Sequence, residues 1–251
     1  MFKFCIEGGV FKHFMEILHE AGVEDAILSF TLEGICTNAV KDQNLFLNLK
    51  IYSKFLEDYK LSNDEEHLKV NVDTLKKISD SWNSEKILIE YDSKLKIIFL
   101  EKSDSEDKLY KKAEFSVGLL DLRDSEYMWK DIKIRDDVEL IVKNKELQDS
   151  FNRISIFSKK TTCWSEKNKL YLMGQTVMGE AESYLNIVSS KANDINKTTF
   201  YHETILKLLK KIDANENITI RLTTEHNNLV FNSKLNTNSG EMKVIICVLS
   251  E

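Results

Sequence analysis

Lysines with helical spacing form the pattern in this sequence that most suggests chemistry. Lys207, Lys210 and Lys211 alternate with apolar residues between positions 202 and 212, so a helix there would turn its cations away from its apolar side. Ammonium groups held on one helix face bind phosphates without reading bases. Exposed helix lysines are also common as ordinary solvated residues, so this stripe has to be weighed with its surroundings.

Cations recur on every helix that the apolar spacing predicts. Helices are predicted over 9–22, after Asp73, over 145–157 and over 202–212. Each of them has at least one cation opposite its apolar face. The set comprises Lys12, Lys76, Lys77, Lys145, Arg153, Lys207, Lys210 and Lys211.

Catalysis and metal binding have no comparable pattern. The five histidines lie in separate segments, apart from His13 and His19, whose spacing is wrong for a two-histidine metal face on a helix. We therefore expect them on surfaces or helix faces. The motifs G-x-S-x-G, H-E-x-x-H and G-x-x-x-x-G-K-[ST] are absent, and no Cys or Ser has the local context of an activated nucleophile. We expect no enzymatic activity, no cofactor and no metal, although a site assembled from distant residues would leave no such motif.

Composition sets the scale of the fold and its charge. With 251 residues, 42% of them hydrophobic, the chain can bury one large core or two modest ones. Its 41 acidic and 35 basic residues give a net charge of -6, so any DNA contact must come from local clusters. The start, MFKFCIEGG, does not resemble a secretory signal, and no apolar run approaches transmembrane length. We expect an intracellular protein without a membrane partner.

The order of predicted elements repeats between the two halves of the chain. Helices near residues 9 and 73 are set among alternating strands in the first half, and helices near 145 and 203 in the second. The two offsets, about 136 and about 130, are similar enough to indicate duplication of one unit. We predict an α+β chain of two similar domains, 1–117 and 136–251, each with antiparallel sheets and two helices. The irregular stretch 118–135 would connect them.

Four segments give this order a family likeness. MFKFCIEGGVFKHFMEIL, LSFTLEGICTNAV, LKVNVDTLKKI and AEFSVGLLDLRDSE resemble, in this order, the DNA sliding clamps of the proliferating cell nuclear antigen (PCNA) family of archaea and eukaryotes. LKVNVDTLKKI is similar to the strand and second helix of the first clamp domain, and AEFSVGLLDLRDSE to the strand that leads into the interdomain connector. The resemblance covers essentially the whole chain. It implies a trimeric ring with helices around a central hole, acting as a polymerase processivity factor.

The same resemblance assigns a DNA-facing surface. Duplex DNA would be held inside the ring through sparse phosphate contacts that ignore sequence and permit sliding. His13 stands where a further lysine is common in the family, which implies weaker DNA contact or a partner subunit that supplies more cations. The residues whose positions match this surface are Lys12, Lys76, Lys77, Arg153, Lys207, Lys210 and Lys211.

A client-binding pocket beneath the connector is also implied. Clients of such clamps, of the DNA polymerase, clamp loader, flap endonuclease and ligase types, insert a short hydrophobic and aromatic motif there. Val40, Leu45, Leu120 and Leu122 match the pocket walls, although plain core packing would explain each residue equally well. Where a leucine, an alanine and a proline usually follow the last strand, this chain reads ICV at 246–248, so the back of the pocket departs from the family.

Subunits of such rings pair their edge strands. Here 109–117 of one subunit would meet 180–188 of the next, and the neighbour would be another copy or a paralogue. Three alternatives remain: a subunit of a heterotrimeric or DNA-damage checkpoint ring, a clamp-like transcription or replication accessory factor that does not encircle DNA, and an unrelated α+β enzyme. The expected compartment is the cytoplasm of an archaeon or the nucleus of a eukaryote.

Overall fold

The computed structural model describes residues 1–41, 44–81, 83–102, 109–122, 132–192, 194–224, 226–235 and 238–249. The chain divides into two compact units. The first comprises Met1–Ala39, Asn48–Trp129 and Thr237–Gly240, and the second Val40–Leu47, Lys130–Asn236 and Glu241–Glu251. Because these units interleave along the chain, the predicted boundaries 1–117, 118–135 and 136–251 stay a prediction.

The first half of the chain alternates strands with two helices. Its strands pair antiparallel in the orders β5-β1-β7-β8-β9 and β4-β3-β2-β6. In chain order the elements are β1 (Phe2–Glu7), α1 (Gly8–Glu20), β2 (Asp25–Thr31), β3 (Gly34–Lys41), β4 (Leu45–Tyr52), β5 (Leu56–Leu61), β6 (Glu65–Asn71), α2 (Val72–Ser81), β7 (Lys86–Tyr91), β8 (Leu95–Lys102) and β9 (Leu109–Val117).

The second half repeats this arrangement. Its strands run in the orders β14-β10-β16-β17-β18 and β13-β12-β11-β15, which match the two orders of the first half strand for strand. The prediction of two similar α+β halves is confirmed. The elements are β10 (Ile134–Lys143), α3 (Asn144–Ile154), β11 (Lys160–Glu166), β12 (Lys169–Thr176), β13 (Gly179–Asn186), β14 (Ser189–Ala192), β15 (Thr198–Tyr201), α4 (Glu203–Leu209), β16 (Asn217–Thr223), β17 (Leu229–Lys234) and β18 (Gly240–Ile246).

Alternating burial explains why these segments form half-buried strands. In β4 every second residue is buried, and β1 follows the same period of two. Phe4, Phe14 and Phe30 fill the first core, while Phe151 and Phe200 pack edge to face in the second. Each core therefore lies between the inner side of the sheets and the apolar side of the helices.

The first helix of each half begins with a different device. At Gly8 an added Cβ would lie 2.0 Å from the carbonyl oxygen of Ser84, so the close approach there requires glycine. The equivalent position in the second half is Asn144, which is fully buried. Its Nδ2 donates to the carbonyl oxygens of Leu209, Ile212 and Asp213 at 3.1, 3.1 and 3.0 Å. The start of α3 is thereby tied to the end of α4.

Several predicted boundaries were wrong. Helix α4 ends at Leu209 rather than near residue 212, because the next turn tightens: the N–H of Lys211 donates to Leu208 O at 3.0 Å. Helix α3 ends at Ile154 instead of 157. The polar strands β5, β14 and β15 were not predicted, since their partners rather than their own pattern place them in sheets.

No helix among the described residues is long and apolar enough to cross a membrane.

Candidate nucleic-acid interface

The two helices of the first unit lie antiparallel. Lys12 near the start of α1 lies 3.8 Å from Asp80 near the end of α2, and His19 lies 3.6 Å from Asp73 at the other end. Buried residues such as Phe14 and Leu75 form the inner side of the pair. Of the predicted cations, Lys12 and Lys77 lie on its solvent-facing side, while the side chain of Lys76 is only 17% exposed.

Carboxylates neutralise much of this face. Asp80 accepts a hydrogen bond from Lys76 and also lies beside Lys12, and the bond from Lys76 lowers the pKa of the Asp80 carboxyl. Lys77 has no ion-pair partner within the part of the chain that the structure describes. The face has three cations, Lys12, Lys76 and Lys77, and four carboxylates, Glu16, Glu20, Asp73 and Asp80.

On the helix face of the second unit, cations outnumber carboxylates. The start of α3 packs on the end of α4, where Gln148 Nε2 donates to Leu209 O at 2.9 Å. Lys207 pairs with Glu203 at 3.1 Å, while Arg153 and Lys210 have no ion-pair partner among the described residues. The cations of α3 and 203–211 are Lys145, Arg153, Lys207, Lys210 and Lys211, against Glu146, Asp149 and Glu203.

This arrangement suits phosphate binding without base recognition. Lysine ammonium and arginine guanidinium groups on short helices contact the phosphates of a DNA backbone, and each contact releases a counterion. The second unit offers more cations than carboxylates, so we expect it to contribute most of such binding. Lys210 and Lys211 lie in the turn after α4, not on the helix as the sequence suggested, but remain beside Lys207.

The two predicted pairing strands lie at sheet edges. Among the described residues β9 pairs only with β8, and β13 pairs only with β12. Lys111 and Lys112 are exposed on β9, and Glu180 and Glu182 on β13. Val188, included in the predicted edge, lies beyond the end of β13 and donates its N–H to Ile141 O at 2.8 Å. Strands β9 and β13 therefore each have one side without a strand partner among the described residues, and these two edges differ in charge.

An apolar corner lies beside the start of β13. We use this name for Ile156, Phe157, Val177 and Met178, whose exposed fractions are 77, 41, 105 and 90%. A Cβ added at Gly179 would lie only 3.1 Å from the ring of Phe157. The segment that follows α3 therefore contacts the β12–β13 turn. Apolar side chains grouped in this way on a surface mark an interaction site.

The four predicted client-pocket residues fall in two places. Val40 and Leu45 belong to the second unit, where Val40 is exposed and Leu45 is buried. Leu120 and Leu122 belong to the first unit. There the N–H of Leu120 donates to Lys69 O at 2.9 Å, next to strand β6, and Leu122 is half-buried.

Leu45 lines a pocket of about 220 Å³ within the second unit. Cys247 and Leu249 of the divergent C-terminal segment line it too, and Val40, Leu120 and Leu122 do not. The backbone N–H groups of Cys247 and Leu249 donate to Asn44 O at 2.9 Å and Thr199 O at 2.8 Å. The segment is therefore held in place at the pocket even without the usual proline. The pocket's polar lining is Lys41, Asn44, Lys159, Tyr201, Glu203 and Thr204.

Nucleophilic chemistry has no support in the thiols. Burial raises the pKa of Cys5, Cys36, Cys163 and Cys247, that of Cys163 to about 12, so all four are protonated at neutral pH. Within the described ranges no group of three His, Cys, Asp or Glu side chains could hold a metal ion.

The prediction of surface histidines was wrong for His202. It is 1% exposed, its ring stacks on Phe151, and its Nδ1 shares a hydrogen bond with Thr161 Oγ1 at 2.8 Å. From sequence alone, a polar residue just before a helix is predicted to be exposed, and only its tertiary contacts show that it is buried.

Two groups of residues escaped the sequence reasoning. The pocket lining contributed by Lys159 and Tyr201 lies far from Leu45 in the chain, so no local pattern could have indicated it. Trp164, Tyr171 and Tyr184 form a row across three strands, and this row depends on strand register. Alternation predicted their strands but not which residues are opposite one another.

Comparison with known proteins gives a structural match and no sequence match. No protein-family model matches the chain, and no curated protein matches it. A structure described as the C-terminal region of FEN-1 bound to A. fulgidus PCNA matches with a TM-score of 0.80 and 16% identity, covering 100% of this chain and 99% of that one. PCNA from Thermococcus kodakaraensis matches with a TM-score of 0.82 and 14% identity, covering 99% and 100%. The chain therefore has the fold of PCNA-type sliding clamps, as its sequence segments suggested.

Proposed function

We propose that this chain is a DNA sliding clamp subunit, a scaffold without catalytic activity that tethers replication and repair enzymes to duplex DNA. The observation that carries the proposal is the fold match to two PCNA structures over at least 99% of each chain. In this proposal three subunits close into a ring around DNA, and residues 118–135 connect two clamp domains. The helix faces bearing Lys12, Lys76, Lys77, Arg153, Lys207, Lys210 and Lys211 face the duplex.

Charge complementarity of the two edge strands supports closure between copies of this chain. Antiparallel pairing of β9 with β13 of the next copy would bring the exposed Lys111 and Lys112 of one edge near the exposed Glu180 and Glu182 of the other. Pairing would satisfy both open edges and remove a site of aggregation. The apolar corner next to β13 would add a hydrophobic contact at the same junction.

Client binding is proposed for the pocket at Leu45. The matched A. fulgidus PCNA holds the C-terminal region of FEN-1, and a pocket of about 220 Å³ can accept side chains of a short peptide. Val40 in the second unit and Leu120 and Leu122 in the first remain proposed client contacts. Polymerase, clamp loader, flap endonuclease and ligase are the client types that this mode of binding suggests.

Light scattering over a concentration series tests ring closure. We expect a mass three times the 29.2 kDa of the chain. Reversing the charge of one edge, with Glu180→Lys and Glu182→Lys, should lower the mass to that of the monomer because lysines would then face lysines. Adding Lys111→Glu and Lys112→Glu to the same chain should restore the trimer. A monomer at every concentration without substitutions would contradict closure between identical copies.

A subunit of a heteromeric or checkpoint-type ring is the second candidate. The helix face of the first unit favours it, because four carboxylates there outnumber three cations. Paralogous subunits would then supply the missing DNA contacts. A chain that stays monomeric alone and enters a ring only with a paralogue would establish this candidate, whereas failure to enclose DNA in any ring would indicate an accessory factor.

A further inference from the structure

A row of aromatic side chains crosses the solvent-facing side of the four-stranded sheet in the second unit. Trp164 on β11, Tyr171 on β12 and Tyr184 on β13 occupy directly paired positions. Their ring centroids are 5.2 Å apart from Trp164 to Tyr171 and 6.3 Å apart from Tyr171 to Tyr184. Cys163 and Leu172, the neighbours of the row along the strands, are buried, so the aromatic rings lie on the opposite side from the core.

Lysines flank this aromatic row at both ends. Lys197 Nζ lies 5.0 Å from the ring centroid of Trp164, and Lys169 Nζ lies 4.1 Å from that of Tyr184. Both distances are within the range of cation–π contact. The carboxylates of this side are less well placed: Glu166 pairs with Lys167 at 3.0 Å, and Glu182 and Glu180 lie in other rows along β13. The aromatic row therefore joins the exposed ring of Tyr184 and the half-buried rings of Trp164 and Tyr171 to positive charge.

The fold itself does not require this row. In the equivalent sheet of the first unit, the corresponding paired positions are Ser29 on β2 and Cys36 on β3, with His67 on the neighbouring strand β6. Ser29 Oγ and His67 Nδ1 share a hydrogen bond at 2.8 Å. Small polar side chains thus satisfy the same topology, and the aromatic rings of the second unit need another explanation.

We propose that the aromatic row binds single-stranded nucleic acid. Unpaired bases stack on exposed aromatic rings with little preference for sequence, and nearby lysines contact the phosphates between them. When a base stacks on the ring of Tyr184 or Trp164, it displaces the lysine ammonium group that lies over that ring. The ammonium group then contacts a phosphate. A duplex cannot use the row in this way because its bases already stack on one another. The aromatic row lies within one unit of one chain, so this binding does not depend on ring closure.

A labelled twelve-residue oligothymidylate tests the aromatic row through fluorescence anisotropy and tryptophan emission. We expect binding with quenched Trp164 emission, and a loss of about 5- to 160-fold in affinity on Tyr184→Ser, since each stacked base contributes about 1–3 kcal/mol. Trp164→Phe should keep most of the affinity and lose the quenching. Lys169→Gln and Lys197→Gln should each lower the salt dependence by about 0.7 in log–log slope.

Gln175→Ser, on the same side of the sheet but outside the aromatic row, is the matched control and should leave oligothymidylate binding unchanged. Thermal unfolding of each variant checks that the sheet is intact. Binding that survives Tyr184→Ser and leaves Trp164 emission unchanged would overturn the proposal and leave the aromatic row a stabiliser of the sheet. An octaglutamate peptide that displaces the oligonucleotide at equal concentration would overturn it too, since the row would then bind acidic peptides. No binding of oligothymidylate at low salt would have the same consequence.

Discussion

The second unit has Trp164 and Tyr171 on two neighbouring strands where the first unit has Ser29 and Cys36. The helix faces differ in the same direction: with Lys210 and Lys211 of the turn after α4 included, cations outnumber carboxylates in the second unit and not in the first. Both units nevertheless share one order of strands and helices. Buried positions therefore maintain the common fold, while the solvent-facing positions of the second unit have more of the cations and aromatic rings that we propose to bind nucleic acid.

Removing helix cations from each unit in turn should show the largest difference between the two units, measured as the loss of duplex DNA affinity. Lys207→Gln, Lys210→Gln and Lys211→Gln together should weaken duplex DNA binding by at least about a hundredfold near 0.1 M salt, because each lost phosphate contact costs about tenfold there. Lys12→Gln, Lys76→Gln and Lys77→Gln should cost less than about tenfold, since Asp80 already engages two of these lysines. Anisotropy of a labelled duplex at several salt concentrations measures both. Equal losses of DNA affinity in the two triple variants would contradict the proposed difference between the helix faces.

Two asparagines allow a matched comparison of stability. Asn144→Ala should lower the free energy of unfolding by about 2 kcal/mol, because the hydrogen bonds from its buried Nδ2 to Leu209 O, Ile212 O and Asp213 O are lost. Asn71→Ala in the first unit should cost only about 1 kcal/mol, since its Oδ1 caps α2 through the N–H of Thr74 at a solvated site. Urea unfolding followed by circular dichroism measures both. A larger loss for Asn71→Ala would contradict the role assigned to the α3–α4 connection.

The smallest expected effect is a pH dependence of folding stability that originates in the second unit. Burial lowers the pKa of His202 below its usual 6.5, so the folded protein keeps this ring neutral while the unfolded chain takes up a proton. Stability is therefore full above pH 6.5 and falls as the pH drops toward the pKa of the folded state, by at most about 1.4 kcal/mol per pH unit. His202→Gln should flatten this part of the profile. An unchanged profile would show that His202 does not cause the pH dependence.

Sequence patterns predicted the fold well where an element's own residues determine it. The strict alternation of β4 and the apolar side of α1 were sufficient to place both. Strand β5, with the sequence LEDYKL, was missed because its pairing with β1 holds it in the sheet rather than its own pattern. Local periodicity cannot report such long-range pairing.

The candidate site was predictable only in part for the same reason. Helical spacing placed Lys12, Lys76 and Lys207 on solvent-facing sides; the structure agrees for Lys12 and Lys207, whereas the side chain of Lys76 is only 17% exposed. It could not reveal that Lys12 and Lys76 share Asp80, because that contact joins two helices about 60 residues apart. Nor could it indicate the aromatic row, since pairing across three strands depends on register.

Retention on circular and linear DNA tests the proposed encirclement most directly. The protein is incubated at high concentration with a nicked circular plasmid, separated from unbound chains by gel filtration at high salt, and counted before and after the circle is cut once. The proposal predicts retention on the circle and loss after cutting, because a closed ring is held by topology and slides off a free end. Blocking both ends of the linear DNA with bound protein should restore retention. Equal retention on circular and linear DNA would contradict the proposal that this chain forms a sliding clamp.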